Sequence, residues 1–272
     1  VYYFLGKEVS TMDLSLGKEN IGKLFVKYSI PSVIAMIVFS VYIVVDGIFV
    51  GNVVGSKGLS AVNIAMPFFG VAMAIGIMVA IGGGTITSIE LGKENKKEAR
   101  KTFSLAFYTL TVITLFLSVF TIIFAPTIAK ILGASDDLVP LVVQYLRALC
   151  LFLTTFVGNS YLSSGLRVMG KPNHAMIADI ISSLLNILLD YIFIVKFGLG
   201  LVGAGIASGI AFTIGFLFAL SHYLKKDSIL KFCKVEFDFK KIVRIFYNGS
   251  SEGITQFAVA FSTFIFNIVL MI

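Results

Sequence analysis

Tryptophan is absent from this 272-residue chain, so an aromatic belt at a membrane interface would have to be built from its 10 Tyr and 26 Phe. Cysteine is nearly absent. Cys150 falls in an apolar run and Cys233 in a basic loop, without CxxC or Cys/His spacing, which argues against a disulfide framework or a metal site. The two histidines, His174 and His222, are isolated from each other in sequence. Charge is scarce as well. Only 14% of residues are charged, against about 25% in soluble domains. The formal net charge of +7 does not point to nucleic acid, because the Lys and Arg residues sit in short loops between apolar blocks, not on a soluble face.

What the chain has is apolar length. Seven apolar segments occupy residues 25–50, 61–91, 103–124, 139–164, 175–195, 203–224 and 242–272. Each is about as long as a helix must be to cross ~30 Å of hydrocarbon. Lipid offers the backbone no hydrogen bonds, so a spanning segment is a helix or a barrel strand. Barrel strands run to about ten residues with alternating polarity, and these blocks show neither feature. The expected fold is an all-α integral membrane protein: a six-helix lobe plus a seventh helix. Pro31 and Pro67 interrupt the first two segments, and Gly82, Gly83 and Gly84 are expected to permit a bend in the second.

Basic residues set the orientation. Eighteen lie before the first segment or in the second-to-third, fourth-to-fifth and sixth-to-seventh connections with their flanks. Only Lys57, Lys130 and Lys196 occupy the other three loops, and Arg147 alone sits within a segment. The positive-inside rule then places the N-terminus and the long 225–241 connection in the cytoplasm of a multi-pass cell-membrane protein. No cleavable signal peptide is evident. Residues 1–11 differ in character from the rest of the chain, and Met12 is an alternative start.

The chain stops inside its seventh segment, and KIVRIF (241–246) echoes KLFVKY (23–28). Transporters are commonly built from repeated halves. The expected organisation is a cytoplasmic segment (1–24), a six-helix lobe (25–224), a cytoplasmic linker (225–241) and the first helix of a truncated second lobe (242–272). That last helix is expected to be stranded from its bundle, and the fragment to insert without being active alone.

Carboxylates at membrane depth are costly, and each marks a candidate site. Asp46 and Asp190 both fall near the outer ends of their segments, at matching depth, and so are expected to face one cavity. Asn186, four residues before Asp190, shares its helix face. Two carboxylates and an amide carbonyl are hard oxygen ligands suited to Na⁺ or to proton exchange; the other placement open to the pair is the wet interface. Asp179 lies near the cytoplasmic end and reads as structural. Glu252 comes after Asn248, Gly249, Ser250 and Ser251, and reads either as an intramembrane carboxylate or as part of a polar helix start. Gly203, Gly205 and Gly209, with nearby alanines, make a small-residue face for helix packing. Methionines including Met66, with Phe68 and Phe69, either line an adaptable apolar cavity or face lipid and neighbouring helices.

Four stretches in order then carry a resemblance: YIVVDGIFVG (42–51), LGKENKKEA (91–99), RVMGKP (167–172), and LNILLDYIFI (185–194) with GAGIA (203–207) after it. Together they resemble the MATE family, the multidrug and toxic compound extrusion transporters, over about residues 18–272. The resemblance implies twelve helices in two six-helix lobes, of which this chain would supply the first, and alternation between inward- and outward-open states. It implies export of organic cations or other amphipathic solutes in exchange for Na⁺ or H⁺, with the lipid bilayer and a second lobe as partners and no resident cofactor. The family's cation site falls on Asp46, Asn186 and Asp190, with Ser208 as its hydroxyl and Glu252 as the carboxylate of helix seven. Tyr42, Met66 and Phe69 are the candidates for the substrate cavity. The chain departs from the family pattern at Ile43, where many members carry Asn. A lipid-linked sugar flippase or polysaccharide exporter of the same broad fold is the alternative, but a pyrophosphate-holding groove calls for several intramembrane cations and only Arg147 is available. A membrane enzyme would need a nucleophile–base pair or a metal-spaced set within the helices, and none is seen.

Overall fold

A computed structural model describes residues 20–270. The candidate start at Met12 and the basic Lys7 and Lys18 lie outside the described residues. The helices in chain order are α1 (Ile21–Val53), α2 (Ser56–Gly92), α3 (Lys96–Ile131), α4 (Val139–Cys150), α5 (Leu153–Val168), α6 (Pro172–Asp190), α7 (Gly200–Leu224) and α8 (Phe239–Leu270). A π-helical turn, Tyr191–Lys196, extends α6. Six of these elements are long and apolar enough to cross a membrane, and α4 with α5 forms a seventh, bent by 51°. Among the described residues there are thus six spans of sufficient length and apolar character, or seven with the bent pair counted as one.

The helices outrun the apolar segments. At 1.5 Å per residue α2, with 37 residues, is about 55 Å long, well beyond ~30 Å of hydrocarbon. This corrects the placement of the basic residues in loops. Lys96, Lys97, Arg100 and Lys101 belong to the first turns of α3, and Lys240, Lys241 and Arg244 to those of α8. Helices begun in water can carry charge on their end turns. Asn95 caps α3 by accepting from the Glu98 N–H at 3.3 Å.

The prolines have visible consequences. Proline has no N–H, so the carbonyl four residues earlier loses its helical donor. Pro67 frees the Asn63 carbonyl, which accepts from Asn267 Nδ2 of α8 at 2.9 Å. Pro126 frees the Ile122 carbonyl, which accepts from Arg147 Nε of α4 at 3.2 Å. Phe124, between Ile122 and Pro126, leaves helical geometry. In each case a side chain from another helix replaces the missing backbone donor.

Two expectations are corrected along α2. The Gly82–Gly84 run lies within a continuous helix, and its first glycine serves close packing, not a bend. A Cβ at Gly82 would collide with the Ile245 carbonyl oxygen, and one at Gly249 with that of Met78. Nor is α8 stranded: further out, Gly70 meets Ala260 and Asn63 meets Asn267, so α8 lies along α2 for most of its length. The small-residue face of α7 behaves as expected, with Gly205 against Ala148 and Gly209 against Phe152 at the α4–α5 bend.

At the end of the bundle that carries the α2–α3 turn, residues 225–238 are non-helical but packed. Leu230 is fully buried, and Phe232 joins an aromatic cluster with Phe103, Phe107 and Tyr223. Arg100 Nε donates to the Ile229 carbonyl at 2.8 Å. Lys241 pairs with Glu98 at 2.9 Å. The linker is thus tied to α3 by rings and a guanidinium, and the start of α8 by an ion pair.

Candidate functional site

The site forms where α1 packs on α6. Asp46 of α1 is half-buried, and Asp190, the last residue of α6 before the π turn, is fully buried. Their carboxyl groups stand within direct interaction range of each other. The helices end at Val53 and Lys196, so each Asp lies about 10 Å inside its helix end. The full burial of Asp190 disfavours placement in the wet interface.

The polar atoms here are unbalanced. Asn186 is fully buried, and its Nδ2 donates to Ser208 Oγ of α7 at 2.9 Å. That bond fixes the amide and leaves Asn186 Oδ1 as an acceptor without a donor. Asp46 Oδ1 and both Asp190 carboxyl oxygens are also buried without a hydrogen-bond partner. Four buried oxygens, three on successive turns of α6 and one on α1, therefore lack a donor. Buried acceptors are costly to leave unpaired, and facing carboxylates more so. A cation or a proton removes both costs, and an all-oxygen donor set suits a hard cation. Ser208 acts here by orienting Asn186.

The structure adds a residue that sequence reading missed. Tyr145 of α4, 4% exposed, lies close enough to interact with Asp46, Asp190 and Tyr42. It was hidden among the apolar residues of its segment, and only its hydroxyl distinguished it. Tyr42, one turn before Asp46 on the same face, packs edge-on against Phe212 with centroids 5.7 Å apart. Phe212 also meets Phe156, which Phe69 of α2 touches edge-on at 4.7 Å. Tyr42 and Phe69 therefore bound one aromatic cluster beside the carboxylates. Met66 lies one turn outward of Phe69 and is partly exposed.

Glu252 is not brought to this site. It stands on an exposed part of α8, and among the described residues no hydrogen bond or ion pair joins it to either Asp. Asp179 has a different environment again. Its carboxylate accepts from Ser163 at 2.8 Å and from Arg167 at 2.9 Å, so both oxygens are satisfied and the group ties α6 to α5. Asp179→Asn should lower stability by about 2 kcal/mol, the scale of a hydrogen bond to a charged group, and reduce coupled export only in proportion. Loss of export with an unchanged melting temperature would contradict that structural role.

The MatE family model matches residues 31–192, more than half of the chain. The chain is 30% identical over 215 residues to the multidrug export protein MepA of Staphylococcus haemolyticus (strain JCSC1435), covering 79% of this chain and 48% of that protein. It is 29% identical over 213 residues to MepA of Staphylococcus saprophyticus, covering 78% and 47%. Among solved structures, a MATE protein in complex with MaD3S matches with a TM-score of 0.83 at 26% identity, covering 90% of this chain and 56% of that one. An outward-facing multidrug resistance MATE transporter of the MOP superfamily gives 0.82 at 26% identity, covering 90% and 55%. The chain spans about half the length of these relatives.

Proposed function

The chain belongs to the MatE family, and from that premise we propose that it forms the first half of a secondary antiporter. That antiporter would export organic cations or other amphipathic solutes in exchange for Na⁺ or H⁺. In that reading α1 to α7 form the first lobe, residues 225–238 the linker, and α8 the first helix of the second lobe. The observation that carries the reading is the group of four unpaired buried oxygens at Asp46, Asn186 and Asp190. A pair of facing carboxylates is stable in two conditions: holding a cation, or opened to water. Exchange results if the occupied and vacated pairs favour different arrangements of α1 against α6, because a ligand shifts a two-state equilibrium by its differential affinity. Tyr42, Phe69 and Met66 offer an aromatic and thioether surface next to that switch, suited to a flat apolar cation.

The MepA relatives are named for multidrug export, which supports this reading over the flippase. So does the position of Arg147, whose Nε serves the α3 kink. Full-length protein in vesicles, given Na⁺ and pH gradients separately, should expel a cationic dye in response to at least one of them. Dye movement indifferent to both would overturn the proposal.

The eighteen-to-three division of basic residues supports a cytoplasmic N-terminus, α2–α3 turn and linker. In a background lacking Cys150 and Cys233, a single cysteine replacing Lys93 or Lys226 should react with an impermeant thiol reagent only after the membrane is opened. Labelling in intact cells would reverse the orientation.

A further inference from the structure

Arg147 sits where a cation is expensive. It lies eight residues into α4 from Val139, about 12 Å from that helix end. Its side chain is exposed on a stripe with Pro140, Gln144 and Leu151. The neighbouring surface of α3 is apolar and exposed, with Phe120 at 43%, Ile123 at 61% and Phe124 at 47%. An exposed apolar surface on a candidate span is suited to lipid, and among the described residues no carboxylate pairs with Arg147. A guanidinium carries five N–H donors, and only Nε is committed here, to the Ile122 carbonyl freed by Pro126. That bond anchors the planar group and leaves its terminal nitrogens available. Gln144 lies one turn outward on the same stripe, and Thr127 and Lys130 line a shallow groove further out on α3. Lys130 is already paired with Asp136 at 3.3 Å, so Arg147 is the unpaired charge.

An unpaired cation at membrane depth snorkels toward the interface or takes an anion. The anion that a bilayer supplies there is the lipid phosphate, whose geometry a guanidinium matches with two parallel hydrogen bonds. We propose that Arg147, anchored at the α3 kink, binds the phosphodiester of a phospholipid in the outer leaflet, with the acyl chains lying along the exposed face of α3.

Native mass spectrometry of the purified chain tests this with three probes: phosphatidylglycerol, diacylglycerol of the same acyl chains, and inorganic phosphate. Arg147→Gln should weaken the first phosphatidylglycerol bound by about tenfold, the effect of one charge-assisted contact, and leave diacylglycerol binding unchanged. Inorganic phosphate should not displace the lipid; displacement at matched concentration would make this a site for the free anion and overturn the proposal. If Arg147 only caps the kinked carbonyl, Arg147→Gln will lower the melting temperature with lipid affinity unchanged, which also overturns it. Should Arg147→Gln fail to fold, Arg147→Lys decides. It keeps the charge but loses the planar fork, and an intermediate loss of phospholipid affinity is expected; unchanged affinity contradicts the assignment.

Discussion

Replacing Asp190 by Asn in the full-length transporter is expected to abolish ion-coupled export while leaving insertion intact. Asn keeps the size of the side chain and removes its charge. The Asp190 carboxyl oxygens accept from no N–H or hydroxyl donor of the folded chain, so the substitution removes no such hydrogen bond. What it removes is half of the negative charge facing the site. A charged ligand contact of this kind corresponds to about 10–100-fold in cation affinity, enough to uncouple transport at ordinary ion concentrations. Asp46→Asn should do the same, because the two carboxyl groups face one another. Asn186→Ala should weaken coupling less, since it deletes one neutral acceptor. The measurement is gradient-driven dye efflux from vesicles matched for inserted protein. Normal coupled efflux by Asp190→Asn would contradict the assignment.

Replacing Gly82 by Val should force α8 away from α2. The atom in the way is the backbone carbonyl oxygen of Ile245, and a backbone atom cannot turn aside as a side-chain tip can. Overpacking of this sort costs about 1–3 kcal/mol, and Gly249→Val should cost a similar amount against the Met78 carbonyl. Spin labels at the exposed positions of Ile89 on α2 and Tyr247 on α8 should move apart by about 2 Å or more, as the axes shift toward ordinary helix spacing. By contrast Gly51→Ala should be silent, since a Cβ there meets nothing within 4 Å. An unchanged α2–α8 distance in Gly82→Val would mean that the close approach is not a constraint.

The sequence made the spans legible because lipid imposes one rule on every segment, and apolar length records it. Asp46, Asn186 and Asp190 were legible for the same reason: polar groups at membrane depth stand out. Their matching depth pointed to neighbouring positions, and Asp46 and Asp190 are close enough to interact. Other features depended on partners that no local pattern encodes. Gly82 to Gly84 looks alike whether it bends a helix or admits another, and only the Ile245 backbone distinguishes the two. The π turn after Asp190, in a class often found at functional sites, leaves no mark in Tyr191–Lys196. The break between Cys150 and Leu153 contains neither Pro nor Gly; it is fixed by the notch that Gly209 offers Phe152. Asp179 and Arg167 were each visible, but their pairing across α5 and α6 was not.

The most direct test of a shared site is titration of the Asp190 carboxyl group by infrared difference spectroscopy, with the band assigned by its loss in Asp190→Asn. Groups that share a site titrate as a pair. Replacing Asp46 by Asn should therefore move the midpoint of the Asp190 band by at least about one pH unit, as expected for removing a charge within a few ångströms. A midpoint unmoved by Asp46→Asn would show that the two carboxyl groups do not share a site.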